Sequence, residues 1–280
     1  MKTEQAKEII DRQLESLGQA LESGRSEQLQ DFLGVMARFH KYSLGNVLLI
    51  MAQKPEASHV AGFHTWKSMN RFVKPGEKGI AILAPMILKG EKHDSSDSSP
   101  PDESDDERQL RFRVVYVFDI DQTDGEPLPE FAKASGEPGH YSDRLKGLVR
   151  QLNIELEYSD QLGGALGMSK GGTIVLQEGL DPAQEFTTLV HELAHEILHH
   201  GDNRQGTTKQ SRELQAEAVA FVVAESIGLA TGTSSSDYIQ LYRGDKKLLL
   251  ESLDAVRKAA GTILESITDH AFNQKEASHV

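Results

Sequence analysis

Residues 187–200, TTLVHELAHEILHH, constrain the chain more than any other stretch. His191 and His195 stand four apart, and on a helix such positions stack on one face, so both imidazoles can reach the same point. Leu189, Val190, Leu193, Ala194, Ile197 and Leu198 surround them. A helix with that much apolar surface must be packed on more than one side. The pattern His191-Glu192-Leu193-Ala194-His195 is HExxH. Two neutral imidazoles at this spacing suit a tetrahedral cation at about 2.0–2.1 Å, and the glutamate one position round faces the open coordination site. Glu192 is therefore the expected catalytic base, able to take a proton from a bound water and pass it to a leaving group. The chain has no cysteine, so every ligand must be His, Asp or Glu, and Zn2+ is the expected cofactor.

A third ligand is sought on the following helix, RELQAEAVAFVVAESIGL, which offers Glu213, Glu217 and Glu225. Glu217 lies 22 residues past His195 in a Glu-Ala-x-x-Phe context and is favoured. Glu213 lies one turn earlier on the same face and is the alternative, with whichever of the two is not a ligand bracing the site. His199 and His200, four and five residues beyond His195, are expected to be exposed helix-end residues. Tyr238 and Tyr242 are candidates for stabilising an oxyanion, although ordinary packing accounts for both. The Gly-punctuated hairpin LGMSKGGTIVLQ could present an edge strand to an extended peptide.

Elsewhere, residues 3–22 space Ile9, Ile10, Leu14, Leu17 and Leu21 as an amphipathic helix. Ser26 can cap a second helix to about residue 39, and Ser43 a third, NVLLIMAQ. A short helix is expected over 65–69, a tight turn at Lys74–Gly79, and strands at IAILAPMIL and RFRVVYVFDI. Between those strands, residues 91–108 are rich in Ser, Asp and Pro and are expected to be a disordered acidic loop. The Gly/Pro-rich stretch 124–139 is the expected domain boundary. Beyond it come a helix at 142–152, a strand at IELEY, the hairpin, helices at 182–200 and 211–227, and a helical pair from 237 to about 272. No stretch nears the roughly 18 apolar residues of a membrane helix. The polar N-terminus lacks a signal-peptide core, so the expectation is a cytoplasmic protein with no membrane partner.

Net charge is −13, but residues 38–89 hold eight Lys or Arg (38, 41, 54, 67, 71, 74, 78 and 89) against Glu56 and Glu77. Basic and aromatic residues interleave here, the pattern suited to phosphates and stacked bases of single-stranded nucleic acid. Candidate contacts on this pattern are Arg38, Lys41, Tyr42, Trp66, Lys67, Arg71, Lys74 and Lys78. Phe39, Phe63 and Phe72 are better read as core, whereas Tyr42 and Trp66 are evenly balanced between the two roles.

The segments KYSLGNVLLIMAQKP, FHTWKSMNRFVKPGEKGIAILAP and VVYVFDIDQTDGEPLPEF resemble, in that order, the N-terminal domain of the ArdC-like antirestriction proteins. The second half is similar to the ImmA/IrrE peptidases, whose HExxH also precedes a Glu-Ala-x-x-Phe helix. The resemblance implies an α+β protein: a small helical and β-sheet domain binding single-stranded DNA (1–130), then a mainly helical zincin-like metallopeptidase domain (140–280). It implies His191, His195 and Glu217 as metal ligands and a DNA-binding region around Tyr42, Asn46, Trp66, Lys67, Lys74 and Lys78. An unidentified protein is the substrate expected of the HExxH site itself, since family antirestriction activity need not require proteolysis. Two alternatives stand beside it: a regulatory protease that cleaves a repressor, and a DNA-binding protein whose metal is purely structural.

Overall fold

The computed structural model describes residues 1–25, 27–87, 110–126, 137–201, 207–229 and 245–268. The Ser26 cap, the acidic loop 91–108, most of the Gly/Pro-rich boundary, the start of the terminal helical pair and both candidate tyrosines lie outside the described residues.

Three helices open the chain: α1 (Thr3–Glu22), α2 (Glu27–Arg38) and α3 (Leu44–Gln53). Their apolar stripes face inward, through Leu14, Leu17 and Leu21 on α1 and Leu29, Phe32, Leu33 and Met36 on α2. The Ser43 hydroxyl accepts from the Asn46 N–H and caps α3, as its position predicts. Next come β1 (Val60–Gly62), α4 (Phe63–Ser68), β2 (Arg71–Val73), β3 (Ile80–Ile87), β4 (Leu110–Asp119) and β5 (Thr123–Gly125). β3 and β4 pair antiparallel from Ile80 opposite Val117 to Ile87 opposite Leu110, so the segment between them joins two strands of one sheet. β1 covers the other side of β4, while β2 and β5 form a separate two-stranded ribbon.

The second half contains α5 (His140–Gln151), β6 (Glu155–Ser159), β7 (Gly167–Ser169), β8 (Thr173–Gln177), α6 (Pro182–His199), α7 (Lys209–Ser226) and α8 (Lys246–Ile267). β8 lies centrally, parallel to β6 and antiparallel to β7, which leaves β7 at the edge. The β7–β8 turn places Gly171 and Gly172 at φ 77° and 86°. Two successive positive φ values make the type I′ hairpin turn that only glycine adopts freely. Asp181 caps α6 and Pro182 opens it, both suited to a helix start.

One hydrophobic core runs through both halves, from Leu14 on α1 to Ile267 on α8. α2 packs against α7 and α1 against α8, and the Ser226 hydroxyl donates to the Ala37 carbonyl at 2.8 Å across that contact. No helix among the described residues is long and apolar enough to cross a membrane.

Candidate metal centre

His191 and His195 occupy successive turns of α6, and their Nε2 atoms are 3.1 Å apart. Glu213 of α7 brings its Oε2 to 3.5 Å from His191 Nε2 and 3.4 Å from His195 Nε2. A tetrahedral cation with bonds of about 2.05 Å holds its ligand atoms about 3.3 Å apart. The three observed separations thus match one face of such a tetrahedron, and the His, His and carboxylate donors suit a divalent metal. Among the described residues, these three side chains are the one group of potential ligands gathered within 4.8 Å. Glu217 is not in that group. The packing of α7 on α6 sets Glu213, the alternative one turn earlier, level with the two Nε2 atoms, while the charge of Glu217 also acts on His191.

Burial favours the uncharged form of both imidazoles. Burial holds His191 below its ordinary value. Burial, followed by the neighbouring His191, lowers His195 to about 4. Both rings are thus neutral at neutral pH, with lone pairs free for a cation. Glu192 is only 8% exposed. Its burial, then the nearby Glu213 charge, push its carboxyl up to about 7, against a smaller opposing pull from the Ser169 N–H. A base that titrates near neutrality can both take and return a proton.

β7 lies directly against this site. A Cβ on Gly167 would come within 2.7 Å of Thr188 Cγ2 and 2.8 Å of Glu192 Cγ, so only glycine lets the strand approach so closely. Glu196, whose side chain is almost fully buried, holds the hairpin in place. It accepts from the Ser169 hydroxyl, from the Gly171 N–H at 2.9 Å and from the Gly172 N–H at 2.8 Å. His199 is not the exposed helix-end residue expected. It is 5% exposed and lies between His195 and Gln215 of α7. Its signal was the repeat of the i, i+4 spacing from His195, whereas Glu196, Gln215 and Gly167 gave none. His200 does lie at the surface.

The expected nucleic-acid contacts scatter. Trp66 is a core residue, 2% exposed, with its indole N–H donating to the Phe118 carbonyl at 2.8 Å. Buried Asn46 donates to the Leu83 carbonyl and accepts from the Leu83 N–H, pairing with the free edge of β3 as a strand would. Gln53 does the same at Ala81. Arg71 is buried too, and its guanidinium binds Thr123 and the carbonyls of Gly125 and Glu126. These three are corrections: each side chain is committed to the fold. Tyr42 donates to the Val60 carbonyl, Arg38 to that of Pro55, and Lys74 to that of Asp121 while facing Asp124 at 3.7 Å. Lys41, Lys67 and Lys78 are exposed. Phe63 and Phe72, expected in the core, are 51% and 56% exposed.

Fold and site define an α+β protein whose second half is built around an HExxH helix with a carboxylate from the next helix. Residues 3–118 match the family model for the N-terminal domain of anti-restriction factor ArdC. Residues 143–227 match the M78 peptidase model, described as the IrrE N-terminal-like domain. The chain is thus similar to ArdC in its first part and to the IrrE-like domain in its second. A metal-free crystal structure of antirestriction protein ArdC from the R388 plasmid superposes with a TM-score of 0.55 at 18% identity, covering 92% of this chain and 97% of that one, which shows a shared fold. The Mn(II)-bound structure of that protein matches at a TM-score of 0.48, with 19% identity over 85% of this chain and 98% of that one. An uncharacterized protein of Bacillus anthracis, pXO2-81, is 25% identical over 273 residues. The match takes in 84% of this chain and 46% of that protein, so the chain spans about half the length of its curated relative.

Proposed function

We propose that this chain is an antirestriction-type protein in which a DNA-binding first part, residues 1–130, delivers a zinc-dependent peptidase part, residues 140–280, to its protein substrate in the cytoplasm. The observation that carries the reading is the convergence of His191 Nε2, His195 Nε2 and Glu213 Oε2 beside the buried Glu192 carboxyl. Two imidazoles and a carboxylate, with no thiolate, are the donor set of a catalytic zinc site. Zinc bound there would polarise a carbonyl and acidify a water. His191 and His195 supply neutral lone pairs, and Glu213 supplies the negative charge. Glu192 holds the proton in transit, steadied by the Ser169 N–H. Pairing of β7 with β8 leaves the outer edge of β7 to align an extended peptide.

A second reading, a regulatory protease whose first part recognises a protein such as a repressor, draws support from the commitment of Asn46, Trp66 and Arg71 to the fold. The two readings part on oligonucleotide binding. Affinity for single-stranded DNA that falls steeply with salt supports delivery by DNA, and its absence supports protein recognition. For the site itself, purified protein should hold one zinc per chain. Glu213→Ala should lose it, while Glu217→Ala should bind it more weakly at most, and Glu192→Gln should keep the metal but lose peptide hydrolysis. Undiminished biological activity in a metal-loaded Glu192→Gln variant would leave the metal a structural role only.

A further inference from the structure

We propose that His199 and Gln215 form a hydrogen-bonded relay that fixes the tautomer and orientation of His195, making them positioning residues for the metal centre. This rests on His191, His195 and Glu213 being the metal ligands.

The relay is anchored by an atom with one possible role. Gln215 Oε1 lies 2.9 Å from His199 Nε2, and a carbonyl oxygen only accepts, so His199 Nε2 carries a hydrogen. In a neutral ring that leaves His199 Nδ1 bare. It lies 3.0 Å from His195 Nδ1, which must then be the donor. A neutral His195 with its hydrogen on Nδ1 has its lone pair on Nε2, the atom that faces His191 and Glu213. Reversing any one link reverses them all: a Gln215 amide turned to donate would put a hydrogen on His195 Nε2 and block it as a ligand.

The placement shields this chain from competition. His199 and Gln215 are both buried, so water does not replace either bond. His199 lies one turn beyond His195 on α6, and Gln215 two residues beyond Glu213 on α7, so the helix pair that supplies ligands also supplies the relay. Outer partners of metal-bound histidines orient the ring and raise its basicity, and their loss lowers metal affinity by about 10–100-fold.

The test measures the zinc dissociation constant of the full chain by competition with a chromophoric chelator. Gln215→Leu and His199→Leu should weaken binding by about 10–100-fold. Gln215→Glu keeps the acceptor, and His199→Gln can accept from His195 while donating to Gln215, so both should stay within about threefold of wild type by the same reasoning. Nitrogen-15 spectra of the metal-free wild type, which depend on no variant folding, should place hydrogens on His195 Nδ1 and His199 Nε2. Leucine variants that bind zinc as wild type does, or a hydrogen on His195 Nε2, would overturn the relay while leaving the metal site intact. A wild type that takes up no zinc would instead overturn the metal reading on which the relay rests.

Discussion

With its carboxyl pushed up to about 7 by burial and then by Glu213, Glu192 opposes the stability of the metal-free protein. An acid whose folded value lies above its ordinary 4.5 contributes stability that is complete below 4.5 and lost as pH rises through 7. Glu192→Gln removes that penalty. Metal-free Glu192→Gln should therefore unfold at higher urea than wild type at pH 8, by about 1–3 kcal/mol, with the gap closing toward pH 5. Equal gaps at both pH values would show that the carboxyl is not destabilised. The placing of His191, Glu192 and His195 on successive turns of one helix was legible because helical spacing is a local property. Which of Glu213 and Glu217 stands nearer the two Nε2 atoms was not, since the two share one face of α7 and only the axial offset of α7 against α6 separates them. Trp66 and the exposed Phe63 show the same limit on the short helix α4, where the sheet beneath decides which aromatic is covered.

The β7–β8 hairpin is an element whose position depends on one side chain. Glu196 fastens it to α6 through the Ser169 hydroxyl and the Gly171 and Gly172 N–H groups, and that attachment sets the Ser169 N–H beside Glu192. Burial alone would raise the Glu196 carboxyl, but the Gly172, Ser169 and Gly171 hydrogen bonds outweigh it and hold it below the ordinary range. Hydrogen bonds to a charged group contribute about 1.5–3 kcal/mol each and are not additive, so Glu196→Ala should cost about 2–4 kcal/mol in urea unfolding at pH 7. A lowered acid stabilises above its ordinary value and loses that contribution as pH falls, so wild type and variant should converge as the medium is acidified below pH 5. A constant difference would mean that Glu196 acts only by filling space. The hairpin itself was legible, from its glycines. The three-residue strands β1, β2 and β5 were not, being too short to show any periodicity. The pairing of Asn46 and Gln53 with the β3 edge was hidden for a different reason: a polar residue on a buried helix reads as a ligand contact unless the strand it covers is known.

Across the whole molecule, the shared core ties the metal centre to the first half. α7 carries Glu213 and also packs on α2, and α1 packs on α8. The Gly/Pro-rich stretch 124–139 is where composition puts a boundary, yet composition carries no information about helices that meet from opposite ends of the chain. Trp66, the single tryptophan, lies in the first half and is fully buried, so its fluorescence reports unfolding there. If the core is one cooperative unit, zinc bound in the second half must stabilise the environment of Trp66 as well. At zinc concentrations about 100 times the dissociation constant, mass action adds about 2.7 kcal/mol, or roughly 5 °C in a chain of this size. The melting curve followed by Trp66 fluorescence should shift by that amount, together with the curve followed by far-ultraviolet circular dichroism. A tryptophan transition that stays fixed while the circular dichroism transition moves would show that the halves melt separately and that the contacts of α2 with α7 and of α1 with α8 do not couple them.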